Sequence, residues 1–308
     1  MKRFSTSTLF AALALALASP AMALTWSAST VDPNPAADYT NSAGNTLDVG
    51  SSDSVTAGGV TVKATAWANT NQSGVLNETT VGTTTNNLSN KLESAYLAFY
   101  SGSGYGAANR DKTALNATTG DANEGNSPEH ALDNQGRYDS ILYSFTGAAN
   151  GIALSSVSTG WVSGDSDISV WAFTGGASTS TDLTGTTYGN LGAGWSLVGH
   201  YDGGASAGTI TVNTGNISSS YWLIGAYVPL TGTCSKSNGT TGGTCDSSDD
   251  YMKVLSVSGS VATCTSNPNA PGCGGGGGGG NVPEPATLGL LGLGLLGMSQ
   301  ARRIRKQG

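Results

Sequence analysis

Helix-forming side chains are scarce in this chain, and turn-forming ones punctuate it at short intervals. Charged residues make up 11% of the 308 positions, whereas glycine alone takes 46. Glu, Lys, Arg and Gln sustain most helices. Without them, runs rich in Val, Thr, Tyr and Trp between clusters of Gly, Asn and Asp read as short strands joined by turns. Nine such runs stand out, at 60–67, 94–100, 139–145, 151–159, 167–173, 194–201, 208–213, 221–228 and 252–261. Strands at this spacing predict an all-β chain, an antiparallel β-sandwich of jelly-roll-like or lectin-like kind. Strict alternation puts Ile141, Tyr143 and Phe145 on one face. In 167–173 it leaves two choices for the inward face, Ile168, Val170 and Ala172 or else Trp171 and Phe173. Residues 24–58 carry few large apolar side chains and read as a loosely held edge. Disorder is the rival reading of a Gly-rich chain of low charge, but six Trp and eleven Tyr argue for a packed middle.

The two ends differ from this middle. Lys2 and Arg3 precede an apolar run at 9–17, Ser19-Pro20 breaks it, and Ala21-Met22-Ala23 places small residues where signal peptidase cuts. The expected organisation is therefore a signal peptide at 1–23, an exported domain at 24–273, a flexible glycine linker at 274–281 and a distinct tail at 282–308. In that tail Pro283-Glu284-Pro285 is followed by an apolar stretch at 286–298, broken only by Thr287, and then by Arg302, Arg303, Arg305 and Lys306. Thirteen residues at about 1.5 Å each reach roughly 20 Å, short of the roughly 30 Å hydrocarbon core, so the predicted transmembrane helix is a marginal span. The cations after it hold that end on the cytoplasmic side. The two prolines keep the preceding segment extended and outside the helix.

Val282-Pro283-Glu284-Pro285-Ala286-Thr287-Leu288, a Gly/Leu helix and a terminal arginine cluster together resemble the PEP-CTERM sorting signal. That resemblance implies recognition by exosortase, a membrane-embedded cysteine transpeptidase-like enzyme, with cleavage near the Pro-Glu-Pro. It also implies a Gram-negative host that secretes exopolysaccharide, and delivery across the inner membrane to the cell surface, outer membrane or extracellular matrix. The stretch 130–145, with Trp171 and the acidic segment after Cys245, is similar to a group of exosortase-dependent surface proteins; this supports fold and sorting, not chemistry.

Six of the thirteen basic residues lie in the two ends, so 24–283 carries seven against nineteen acidic ones, a net of −12. Such a balance argues against a nucleic-acid partner. Cys234, Cys245, Cys264 and Cys273 all lie in the last third of the exported part, and an even number in an oxidising compartment predicts disulfides. Local pairing of Cys234 with Cys245 and Cys264 with Cys273 closes loops of about ten residues, each stabilising by roughly 2–3 kcal/mol. A zinc site is the rival, but the spacings contain no C-x-x-C and no His is near.

No Gly-x-Ser-x-Gly elbow stands in a strand-turn-helix setting, and there are only two histidines, so a Ser-His-Asp arrangement has little to build on. His130 reads as part of a turn ahead of the strand at Asp139, with Asp133 and Asn134 bonding the local backbone; a metal or ligand contact is the alternative. Asp165 and Asp167, or Asp246, Asp249 and Asp250, could offer hard oxygens to calcium. The second set has the better case, because three acids within five residues repel one another unless solvated or bridged. Solvated turn acids are the plainer reading, and no other cofactor is expected. Glu93, Glu124 and Glu129 are the acids a two-carboxylate glycoside hydrolase would need. The expected function is a non-enzymatic exported surface protein, structural or adhesive in an exopolysaccharide or biofilm layer. A calcium-dependent carbohydrate-binding module is the alternative, and a secreted hydrolase a more distant one.

Overall fold

The computed structural model describes residues 23–29, 39–40, 46–50, 52–69, 88–109, 130–175, 182–246 and 248–264, with 39–40 and 46–50 as backbone alone. All of them fall in the unit Met1–Cys273. The signal peptide, the glycine linker, the Pro-Glu-Pro tail with its expected helix, Glu124 and Glu129 lie outside the described residues.

Every regular element among the described residues is a strand, and no helix there is long and apolar enough to cross a membrane. One sheet runs in the order β14 (Thr209–Thr211), β11 (Ile152–Gly164), β17 (Asp250–Val261), β8 (Gly104–Ala108), β7 (Tyr96–Tyr100), β3 (Thr46–Gly50) and β2 (Tyr39–Thr40). Strands β1 (Leu24–Ser27) and β9 (Leu132–Asp133) also pair with β17. The second sheet runs β16 (Cys234–Lys236), β13 (Trp195–Asp202), β12 (Ile168–Phe173), β15 (Tyr221–Ala226), β10 (Asp139–Thr146), β5 (Val60–Asn69) and β4 (Asp53–Ala57), with β6 (Leu92–Ser94) against β5. The β13–β16 pair is parallel and the remaining named pairs are antiparallel.

All nine runs read from the sequence are strands. Register settles the open choice of face. Ala66, Ile141, Ile224 and Val170 stand opposite one another across four strands, and Ala64, Tyr143, Trp222 and Ala172 form the next row. Both rows are buried in one core with Ile152, Leu154, Val157, Met252, Val254 and Val257 of the other sheet, the arrangement of a sandwich. Burying side chains of this size is worth about 1.5–3 kcal/mol each.

Trp171 faces the other way, with Trp67, Leu142 and Leu223, and this outer face is buried too. The segment 182–192 covers it, through Leu183, Tyr188 and Leu191. Both candidate faces of β12 are thus apolar because both are covered, which is why alternation alone could not choose between them.

The reading of 24–58 as a loosely held edge fails at its first strand. β1 pairs with β17, and Trp26 is 2% exposed. Its ring meets Phe145 edge-on at 4.9 Å, and its Nε1 donates to the carbonyl oxygen of Val60 at 3.0 Å. One large side chain therefore ties the first strand of one sheet to the other, a contribution that a scarcity of apolar residues hides. At Gly104 a Cβ would lie 2.3 Å from the carbonyl oxygen of Val254, so β8 can approach β17 only with glycine there.

Candidate functional site

Where β11 ends, the chain leaves one sheet and enters β12 of the other through Asp165, Ser166 and Asp167. The last pair of the β11–β17 ladder is Gly164 with Asp250, and Tyr251 N donates to the carbonyl oxygen of Asp165 at 3.1 Å. This corner brings Asp165, Asp167 and Asp250 together, with one carboxylate oxygen of each within 4.8 Å of the others. Asp167 and Asp250 are fully buried.

Donors surround them. Asp167 N donates to Asp250 Oδ1 at 2.8 Å and Asn134 Nδ2 to Asp250 Oδ2 at 2.6 Å. Gly203 N and Asp246 N each donate to Asp167, to Oδ1 and Oδ2 respectively, at 3.2 Å. Gly203 has to be glycine, since a Cβ would stand 2.2 Å from the carbonyl oxygen of Ser166. Loss of solvation dominates the electrostatics: burial first, opposed by the donated N–H bonds and reinforced by the neighbouring acids, pushes Asp250 up to about 9 and Asp167 up to about 7. Such a cluster is stable when a proton or a cation neutralises it. Three hard oxygens are a partial set for calcium, which takes six to eight.

The trio is not the one that spacing singles out. Asp246 is exposed and its carboxylate accepts from Ser248 N, so it reaches the corner through its backbone N–H alone. Asp249 is exposed and accepts from Gln135 Nε2 at 2.8 Å. Only Asp250 of that set enters the corner, where it meets the pair flanking Ser166. Asn134, expected to bond the local backbone, also spans 116 positions to Asp250. Asp133 does act locally, accepting from Gln135 N at 3.0 Å.

Cys234 and Cys245 form a disulfide, Cα to Cα 5.7 Å, linking β16 to the segment that carries Asp246. Cys264 is also disulfide-bonded, and Cys273 lies outside the described residues.

Both histidines are buried. His130 stacks on Tyr100 at 4.9 Å, and the same tyrosine lies under Lys253, whose Nζ sits 3.9 Å above the Trp161 ring. Burial, partly opposed by Asp133, lowers Lys253 to about 7. His200 does meet a serine: its Nε2 donates to the carbonyl oxygen of Leu230 at 3.1 Å, leaving Nδ1 to accept the Ser169 hydroxyl at 2.8 Å. Ser169 Oγ also accepts from Val228 N. With both ring nitrogens engaged and both residues fully buried, this pair is a brace between β12, β13 and the segment after β15. Glu93 is buried on β6.

Residues 281–306 match the family model described as PEP-CTERM protein-sorting motif. The match takes in Pro283, Glu284, Pro285, Arg302, Arg303 and Arg305 and supports an exported bacterial surface protein with exosortase as its processing partner. No curated protein and no solved structure matches the chain.

Proposed function

We propose that this chain is a non-enzymatic surface protein that signal peptidase and exosortase process in turn, and that its β-rich domain has a structural or adhesive role in an extracellular polysaccharide layer. The sorting motif at 281–306 carries the reading. The domain fits it, being acidic and rich in hydroxyl side chains. Its Ser169–His200 pair is sealed inside and Glu93 is buried, so neither meets a substrate as they stand. Processing leaves 24–273 as the working part, with the glycine run 274–280 as its tether. Protease shaving of intact host cells tests the location. Surface exposure that disappears when exosortase is deleted supports it, and exposure independent of exosortase overturns it.

A second reading is favoured by the convergence of Asp165, Asp167 and Asp250: a calcium ion at this corner, stabilising the loops that a carbohydrate would meet. Millimolar calcium that raises the melting temperature in chelator-treated protein supports it; a midpoint that does not move removes it.

A further inference from the structure

A cavity of about 320 Å³ opens beside the outer aromatic cluster, between the segment that covers the sheet and the turn after β15. Trp171 and Tyr188, stacked at 5.4 Å, line it together with Trp195, and Asn190, Leu230 and Thr231 are among the other lining residues. Trp171 and Tyr188 are buried; Trp195 is half-buried, and Asn190 and Thr231 are exposed. A volume near the lower end of the roughly 300–1,000 Å³ of small-ligand pockets leaves room for one sugar ring or the end of a disaccharide.

The chemistry of the lining selects further. No Asp, Glu, Lys, Arg or His is among the lining residues described, so nothing there compensates a phosphate, a carboxylate or an ammonium. The groups on offer are aromatic faces, an amide and a hydroxyl. Asn190 Oδ1 accepts from Gly192 N at 3.2 Å, which leaves the amide NH2 to donate outward. An aromatic face beside uncharged hydrogen-bonding groups suits a ring with one C–H face and a rim of hydroxyls.

Both walls are held in place before any ligand arrives. Tyr188 Oη bonds the carbonyl oxygen of Tyr138 at 2.8 Å and Ser140 Oγ at 2.9 Å, and Leu92 N and Gly185 N tie the covering segment to β6. Opposite, the Leu230 carbonyl is gripped by His200. The Trp195 ring is backed edge-on by Phe173 at 5.6 Å. Little ordering is left for a ligand to impose.

We infer that this cavity is a binding site for a neutral saccharide, with Trp195 as the stacking surface and Asn190 and Thr231 as hydroxyl partners. The inference names the contact through which the surface reading above would operate, and it rests on that reading for biological meaning but not for its test. The test is tryptophan emission and calorimetry on the purified full chain with glucose, galactose, mannose, N-acetylglucosamine and their β-linked disaccharides. Saturable binding of at least one, weakened roughly tenfold or more by Trp195→Ala and retained in Trp195→Phe, is expected. Asn190→Ala, at an exposed position, gives a second variant that leaves the melting temperature near wild type. No saturable binding, binding unchanged in Trp195→Ala, or tighter binding of glucuronate than of glucose overturns the inference. Failure here leaves exosortase sorting untouched, because sorting is read at the other end of the chain.

Discussion

Asn134 and Asp250, 116 positions apart, exchange two hydrogen bonds: Asp250 N donates to Asn134 Oδ1 at 2.8 Å, and Asn134 Nδ2 donates to Asp250 Oδ2 at 2.6 Å. Asn134 Nδ2 also reaches the Ser248 carbonyl oxygen at 3.2 Å. One amide thus closes the segment after β9 onto the start of β17, at the corner where three acids meet. Asn134→Ala removes these three bonds and takes from Asp250 Oδ2 its amide donor, leaving the bond from Asp167 N on Oδ1. The expected loss is about 2–3 kcal/mol, read as a lower midpoint in urea at pH 7. A loss under about 0.5 kcal/mol would mean the clamp contributes little.

The same corner sets a pH dependence. Asp167 and Asp250 have folded pKa values of about 7 and about 9, raised chiefly by burial. Their unfolded values sit in the ordinary carboxylate range near 4. Below that range their contribution to stability is fully present. It is lost as pH climbs, first through about 7 and then through about 9, because the unfolded chain releases protons the folded one must keep. In chelator the melting temperature should therefore fall from pH 5 to pH 9. Asp250→Asn should flatten the upper part of the fall, and a midpoint that rises with pH would contradict the assignment.

Reducing the Cys234–Cys245 disulfide, or replacing both with Ala, should cost about 2–3 kcal/mol from the freed loop. Asp246 N donates to Asp167 from the adjoining position. Amide exchange should therefore quicken at 246–250 before it does in β10 or β15, which are almost wholly buried. Uniform acceleration across the domain would show instead that the disulfide supports the whole fold.

Trp26→Ala tests whether the first strand belongs to the core. Loss of its packing on Phe145 and of its bond to Val60 should cost about 3–5 kcal/mol. A cost near zero would restore the loosely held edge that composition suggests.

These cases also mark what the sequence could and could not convey. The nine strand runs were legible because period-2 alternation and flanking turn residues are local signals. Strand β1 was not, since its evidence is one tryptophan whose partners, Phe145 and Val60, lie far along the chain. The direction of Trp171 was hidden because 182–192 folds back over the outer face and makes both sides of β12 apolar. At the acidic corner, counting neighbours favoured Asp246 and Asp249, which the fold leaves in solvent. The informative signal was positional: acids stand at the end of β11 and the start of β17, two long strands that pair to their last residue. Asn134 and Gly203 carried no such mark. The sorting tail, by contrast, is a short linear motif whose meaning needs no tertiary context, and its motif was legible.

The most direct measurement of the central claim is intact mass spectrometry of the protein isolated from wild-type host cells and from cells lacking exosortase. Sorting predicts a wild-type product that begins at Leu24 and ends near Pro283-Glu284-Pro285, and an exosortase-deleted product that keeps its tail to Gly308. A wild-type product still ending at Gly308 would contradict it.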